Sequence, residues 1–408
     1  MKMKKLFYLL LLGLTILPLV ACSGNAKSSI VLSKIFMAYP TTDNVIELYN
    51  PSNSTENLSK YSIGIFTNGA NEVKVKINLS GNIAAHSYYA IASNQISSTA
   101  LKNNVIDHYY IDDQFDFVPF NGNDAIGLFK NNTMIDFVGY KGQNIDYNKD
   151  ITMIKLGDPD EFKPSTTYNE FDYIAYTNNC FQYLKNSDYE IKTLEQIYAG
   201  PHLEDKDFDR PFINPNNTSS GGGGVAKVTT VSSIADGDTA NFISSAYGGS
   251  TRYFYINTPE VNGGTVKHEP WGYVASKYNK QYLLVEPTTK DIYVQSIYNY
   301  ALTETYGRHL ALVWVNDNLS QFLIVSEGLT EGVSISPSSH DLQMTYRDVL
   351  YLTFLRFVEK RAKDNGWGVW GYPNKVDGEK APDWNWQSNT STGNSDPVWT
   401  PHLALPWS

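Results

Sequence analysis

Cysteine is almost absent: two residues in a chain of 408. With so few thiols no disulfide framework can form, and the fold must be held by burial. Cys22 lies in the N-terminal segment, and Cys180, in Tyr-Thr-Asn-Asn-Cys-Phe, reads as a small buried hydrophobe. The seven histidines are scattered, with no His-Glu-x-x-His or Cys-x-x-Cys spacing, so a zinc site is not indicated. Positive charge is also short, at 32 Lys and Arg against 42 Asp and Glu, a formal net charge of −10. That excludes a broadly basic surface for coating nucleic acid. It leaves room for a small positive cleft, because local potential rather than the total draws a ligand.

What is present favours short strands. Apolar residues make up 42% of the chain and aromatics 13%, enough for real cores, and Gly, Asn, Ser and Thr interrupt the sequence often. The length predicts two or three globular units of mainly β or α+β character. At the N-terminus, Lys2, Lys4 and Lys5 precede an apolar run over 6–20 that ends Leu19-Val20-Ala21-Cys22-Ser23-Gly24. A charged start, a short apolar core and small residues at its end predict a secretory signal over 1–21, too short to be a typical membrane span. Cys22 directly after Ala21 resembles the lipobox of bacterial lipoproteins. That resemblance implies cleavage before Cys22, a lipid on its thiol, and an extracytoplasmic protein anchored to the cell membrane; the plainer alternative is a secreted protein with a chance cysteine.

After a tether over 22–28, residues 29–140 read as short strands at near-regular spacing, separated by turns such as Asn50-Pro51-Ser52-Asn53, which predicts an antiparallel sandwich. Ile46-Glu47-Leu48-Tyr49-Asn50-Pro51, Leu58-Ser59-Lys60-Tyr61, Asn121-Gly122-Asn123-Asp124-Ala125 and Ile135-Asp136-Phe137-Val138-Gly139-Tyr140 resemble the lamin-tail domain. The family implies an immunoglobulin-like β-sandwich with a binding or positioning role and no catalysis. Residues 141–205 are expected to complete this unit (29–205), with Phe171 and Phe181 in its core and a short helix over 194–198. Asp205, Asp207 and Asp209 lack the glycine and glutamate of an EF-hand and read as a solvated turn. The composition of 206–224, ending in four glycines, predicts a flexible linker.

The second unit, 225–371, opens with strands over 227–234 and 240–245 flanking Asp236-Gly237-Asp238-Thr239. Thr251 to Glu260 reads as one β-branched and aromatic strand that opens on a cation and closes on a carboxylate. In a regular strand Arg252 and Asn257 would face opposite ways, so a bend or bulge is required. A helix over 271–284, a strand over 292–297, a hairpin pairing 310–315 with 321–326, and a long helix over 346–364 follow. Five strands with helices inserted and appended fit an OB-type barrel.

In this unit Asp236-Gly237-Asp238-Thr239, Arg252 through Asn257-Thr258-Pro259-Glu260, Trp271-Gly272-Tyr273-Val274, Tyr306-Gly307-Arg308-His309-Leu310 and Leu323-Ile324-Val325-Ser326-Glu327-Gly328 occur in order. Singly these are a turn, a strand end and a hairpin with a surface cation. Together they resemble the staphylococcal nuclease (thermonuclease) family. The resemblance implies Ca²⁺ held by Asp238, Asn257 and the carbonyl of Thr258, with Glu260 as general base. It implies Arg252 and Arg308 on the phosphate, Tyr306 against substrate, and DNA and RNA as substrates. The residue types suit the chemistry: a hard cation takes oxygen ligands, water needs a carboxylate acceptor, and a guanidinium fork matches two phosphate oxygens.

Two departures stand out. Asn257 replaces the family's common Asp, and Thr305 stands where a phosphate-contacting Lys can occur. Ser334 and Ser336 occupy a segment where base-stacking aromatics are found. The alternative function is a catalytically inactive nucleic-acid-binding or adhesin-type lipoprotein whose metal affinity was lost through Asn257. The tail, 372–408, lacks periodicity but carries Trp384, Trp386, Trp399 and Trp407, and is expected to wrap the barrel as irregular structure rather than to contact a glycan or the cell wall.

Overall fold

The computed structural model describes residues 30–103, 106–112, 116–261, 269, 271–287, 289–330, 332–333, 338–371 and 399–406. The signal segment, Cys22, Ser334, Ser336, Trp384, Trp386 and Trp407 lie outside them. Among the described residues no helix is long and apolar enough to cross a membrane.

The strand-rich first half folds as two facing sheets, because its short β-branched and aromatic runs alternate with turn residues. Its strands are β1 (Val31–Phe36), β2 (Val45–Asn50), β3 (Tyr61–Phe66), β4 (Val75–Asn78), β5 (Ser87–Ser93), β6 (His108–Tyr110), β7 (Ala125–Lys130), β8 (Thr133–Val138), β9 (Thr152–Lys155) and β10 (Tyr173–Tyr176). One sheet runs β10-β9-β1-β2-β5-β6 and the other β8-β7-β3-β4. Ile63, Ile65, Ile126, Leu128, Leu48 and Ile91 fill the space between them. A bulge between Leu32 and Lys34 sets Lys34 opposite Glu47, and the two form a fully buried ion pair at 2.5 Å. Burial pushes the Lys34 amine down against the pull of Glu47, and pushes the Glu47 carboxyl up against that of Lys34. Cys180 is buried, as its surroundings suggested, and so is Phe181. The short helix α1 (Leu194–Ala199) starts on a capping box from Thr193 and Gln196.

The connection differs from the flexible linker expected. The helix α2 (Asp205–Asp209) buries Asp207, which accepts from Gln295 Nε2 at 3.1 Å and from the Glu204 amide at 2.9 Å; it is not a solvated turn. The four glycines are buried and bonded: the Gly222 amide donates to the Phe212 carbonyl at 2.9 Å, and the Ser296 amide to the Gly224 carbonyl at 3.1 Å. A Cβ at Gly224 would lie 2.0 Å from the Arg210 carbonyl oxygen, and one at Gly222 2.2 Å from that of Pro211. Glycine serves close backbone packing here rather than flexibility.

The second half is a closed barrel of β11 (Val225–Ile234), β12 (Thr239–Ser244), β13 (Gly248–Tyr253), β14 (Ile292–Gln295) and β15 (His309–Val315). Its order is β13-β12-β11-β14-β15, sealed by a parallel β13–β15 pairing. Three helices accompany it: α3 (Gly272–Lys280), α4 (Ser320–Ser326) and α5 (Tyr351–Asn365). The segment expected to pair as a strand over 321–326 is α4 instead. Every residue of α4 is buried, and an apolar run buried on all sides carries no period that separates strand from helix. The long helix begins at Tyr351, later than expected, because β16 (Thr345–Tyr346) and β17 (Val349–Leu350) form a small hairpin before it.

That hairpin joins the two halves. Val349 pairs with Tyr176, so β17 and β16 extend the first unit's large sheet beyond β10. On α5, the Thr353 hydroxyl donates to the Ala175 carbonyl at 3.1 Å, Arg356 meets Glu170 at 2.5 Å, and Phe357 packs edge-on against Phe171 at 5.3 Å. One hydrophobic cluster runs from Ile154 and Ile174 through the barrel to Val369. Of the tail, Trp399 packs edge-on against Tyr278 and His402 stacks on Trp367. The buried Glu327 carboxylate accepts the His402 and Leu403 amides at 2.7 and 2.8 Å.

Candidate active site

Four local structures meet at one end of the barrel. The first is the turn before β12. The Asp238 amide donates to Asp236 Oδ1 at 3.0 Å, which closes the turn through the side chain. A Cβ on Gly237 would sit 2.6 Å from Ala275 Cβ and 2.7 Å from Thr258 Oγ1, so the turn is wedged between α3 and Thr258. Asp238 is thereby buried, and its Oδ2 accepts the Thr258 amide at 2.5 Å.

The second is the end of β13. Arg252 lies in register with Thr239 on one side and Leu310 on the other. The single strand expected from Thr251 to Glu260 stops at Tyr253: pairing ends as the Phe254 amide reaches the Ala311 carbonyl at 3.0 Å, and Tyr255 takes a left-handed conformation at φ 73°. This is the bend that the alternation of side chains required. It turns Asn257 back so that its Oδ1 accepts from Arg252 Nη2. Arg252 Nη1 lies against Asp238 Oδ1.

Glu260 occupies the third position, ahead of α3. Its amide donates to Glu269 Oε2 at 2.7 Å, and its carbonyl accepts the Glu269 amide at 2.9 Å. Gly272 at the head of α3 packs so close that a Cβ there would be 2.3 Å from the Glu260 carbonyl oxygen. Burial, then the negative charge of Asp236, hold the Glu260 carboxyl above the usual carboxylate range, while Arg252 and Arg308 pull it back. Asp236 is raised by burial against the pull of Arg252 and Arg308.

Arg308 closes the fourth, a tight turn in which the Gly307 amide donates to the Glu304 carbonyl at 2.9 Å and Gly307 takes φ 81°. Arg308 Nε donates to Glu304 Oε1 at 3.0 Å. Burial would raise the Glu304 carboxyl, yet the hydrogen bonds from Arg308 hold it below its usual range. Tyr306 is 86% exposed, with its ring 6.0 Å from the Arg308 guanidinium.

Asp238, Arg252, Asn257 and Thr258 are thus in direct contact, and Glu260 senses both arginines. Sequence reasoning missed two contributors. The sequence offers Asp236 as a carboxylate of the Asp-Gly-Asp-Thr turn but gives it no role toward Glu260, on which its charge acts. Glu304 was passed over, although a carboxylate four residues before a cation on a tight turn signals a pair.

The donors are oxygens only: a buried carboxylate and a neutral amide converge on one cationic group, the Arg252 guanidinium, beside the Thr258 backbone. That arrangement fits a hard divalent ion with water completing its shell. Among the described residues no three His, Cys, Asp or Glu gather as a metal cluster, so the protein would supply few charges to such an ion.

Comparison with known proteins finds a family match in each half of the chain. The Lamin Tail Domain family model matches residues 23–142, and that of Staphylococcal nuclease homologue matches residues 250–372. The thermonuclease of Staphylococcus intermedius is 24% identical over 140 residues, 34% of this chain and 74% of that protein. The chain thus matches the lamin tail domain in its N-terminal half and the staphylococcal nuclease homologue family over its barrel.

Proposed function

We propose that this protein is a calcium-dependent nuclease that hydrolyses phosphodiester bonds of DNA and RNA. Arg252 and Arg308 bind the non-bridging phosphate oxygens and offset the charge that grows on them. Glu260 accepts a proton from the attacking water; burial and Asp236 raise its carboxyl, while the two arginines favour the charged form. Asp238, Asn257 and the Thr258 carbonyl are the groups that would hold a calcium ion, which would supply Lewis-acid charge at the phosphate when bound. An amide at 257 in place of a carboxylate weakens that hold, so activity needs more calcium than a site with two carboxylates would. Exposed Tyr306 offers a ring face to an unpaired base, which favours single or frayed strands.

The observation that carries this reading is the bridging of Asp238 and Asn257 by Arg252 within reach of the Glu260 charge. The test is incubation of the protein without its signal segment with single-stranded DNA, in millimolar calcium or in chelator. Cleavage in calcium alone supports the reading. Binding without cleavage supports the inactive adhesin-type alternative, which Asn257 favours.

Lipid anchoring through Cys22 belongs to the same proposal, resting on the segment 1–22. A Cys22→Ala variant should leave the membrane fraction for the medium, and unchanged membrane retention contradicts the anchor.

A further inference from the structure

The left-handed turn at Tyr255 lies between Arg252 and the Asn257 to Glu260 segment, so whatever holds Tyr255 sets how those groups face one another. A bulky residue at φ 73° is strained and persists only where its surroundings impose it. The imposing contact is a hydrogen bond from the Tyr255 hydroxyl to Asp341 Oδ1. Asp341 is itself buried and fixed: its Oδ2 accepts the Ser338 amide at 2.6 Å, and its carbonyl accepts the Met344 amide at 2.9 Å.

The segment carrying Asp341 is gripped from outside the barrel. The Leu342 carbonyl accepts the Thr177 hydroxyl at 2.7 Å, and the Gln343 carbonyl accepts Arg210 Nη1 at 2.7 Å. Thr177 directly follows β10 of the sandwich, and its amide donates to the Asp348 carbonyl at 2.8 Å. Contacts therefore run without a break from the sandwich edge through Leu342 and Asp341 to Tyr255 and the turn that aims Asn257 and Glu260.

We infer that Asp341 is a positioning residue for the catalytic loop: acting through the Tyr255 hydroxyl, it makes the sandwich domain part of the support of the barrel's site. This deepens the nuclease reading and rests on it for its rate measurement. A merely structural Asp341 would change stability and leave the chemistry per folded molecule alone.

The test uses the full chain without its signal segment, comparing Tyr255→Phe, Asp341→Ala, their double variant and Asp341→Asn, whose amide oxygen still accepts a hydrogen bond. Initial rates on single-stranded DNA at saturating calcium are read together with the calcium-induced rise in melting temperature, which needs no turnover. The expected result is a fall in kcat of about tenfold for Tyr255→Phe and for Asp341→Ala, with KM changed less than about twofold. The double variant should be no worse than either, the mark of one shared interaction. Asp341→Asn should keep most of the rate. Wild-type rates in Tyr255→Phe, effects that multiply in the double variant, or an Asp341→Asn as impaired as the alanine overturn the inference. A wild-type protein that cleaves nothing removes the nuclease reading instead; the positioning role then stands if Tyr255→Phe lowers the calcium-induced shift and falls if that shift is unchanged.

Discussion

Arg252 lies against Asp238: the guanidinium assigned to phosphate rests on the carboxylate assigned to the metal. Two oppositely charged groups in contact offset each other's charge, and the contact fixes where each of them lies. On the proposed reading, an ion would take the carboxylate and a phosphate the guanidinium, which would separate the two.

That exchange predicts a calcium response. Calcium should raise the melting temperature, with a gain of about 2.7 kcal/mol at a hundred times the dissociation constant. Asp238→Ala should abolish the rise. Asn257→Asp adds a charged ligand and should move the calcium midpoint down by roughly tenfold. Thermal scans across a calcium series check all three, and an Asp238→Ala that responds like wild type excludes this carboxylate as a ligand.

Glu260 predicts a pH dependence. Its carboxyl is raised above the ordinary glutamate value by burial and by Asp236, and the base must be ionised to accept a proton. Activity should therefore be lost as pH falls through that raised value and be retained above it. Glu260→Gln should lower kcat by about a hundredfold or more and remove that acid limb. A rate profile against pH for both proteins decides it.

Glu304 predicts a split in kinetic effects around Arg308. Its carboxylate holds the guanidinium through Nε, and the proposed reading gives the outer nitrogens to phosphate. Arg308→Ala should cost on the order of a hundredfold in kcat. Glu304→Ala should cost about tenfold, and Glu304→Gln, which still offers an oxygen, less than that. Steady-state rates on one oligonucleotide substrate provide the comparison.

Gly272 predicts a packing effect on the same site. A methyl group there meets the Glu260 carbonyl at 2.3 Å and must displace either the head of α3 or the loop before it. Gly272→Ala should reduce turnover by about tenfold or more. Calcium affinity should change less, since Asp238 and Asn257 are held from other elements. Turnover and calcium titration on the same preparation check this.

Lys34 and Glu47 predict a stability effect remote from the chemistry. Lys34→Ala leaves a carboxylate buried without its partner and should destabilise the protein by about 3–5 kcal/mol. Denaturant unfolding measures the loss, while the cleavage rate per folded molecule should stay unchanged.

Much of the barrel was legible because strand ends, turns and their charged residues follow local rules. The demand for a bend between Arg252 and Asn257 came from side-chain alternation alone, and Tyr255 supplies it. Three features were not legible, each because contacts with distant parts of the chain override local composition. Four glycines that read as slack are packed against Arg210, Pro211 and Ser296. The apolar run at α4 is buried on every side, so its period gave no sign of a helix. The support of Tyr255 by Asp341 joins positions 86 residues apart, beyond the reach of any local motif.

On the proposed reading, Glu260, Arg252 and Arg308 serve one phosphate beside a divalent ion. Digestion of a short single-stranded DNA by wild type and by Glu260→Gln, each in millimolar calcium and in chelator, tests it most directly. Wild type should cleave in calcium and not in chelator, and a Glu260→Gln variant that keeps the wild-type melting curve should cleave at least about a hundredfold more slowly. Equal cleavage by the two proteins, or wild-type cleavage undiminished in chelator, would contradict it.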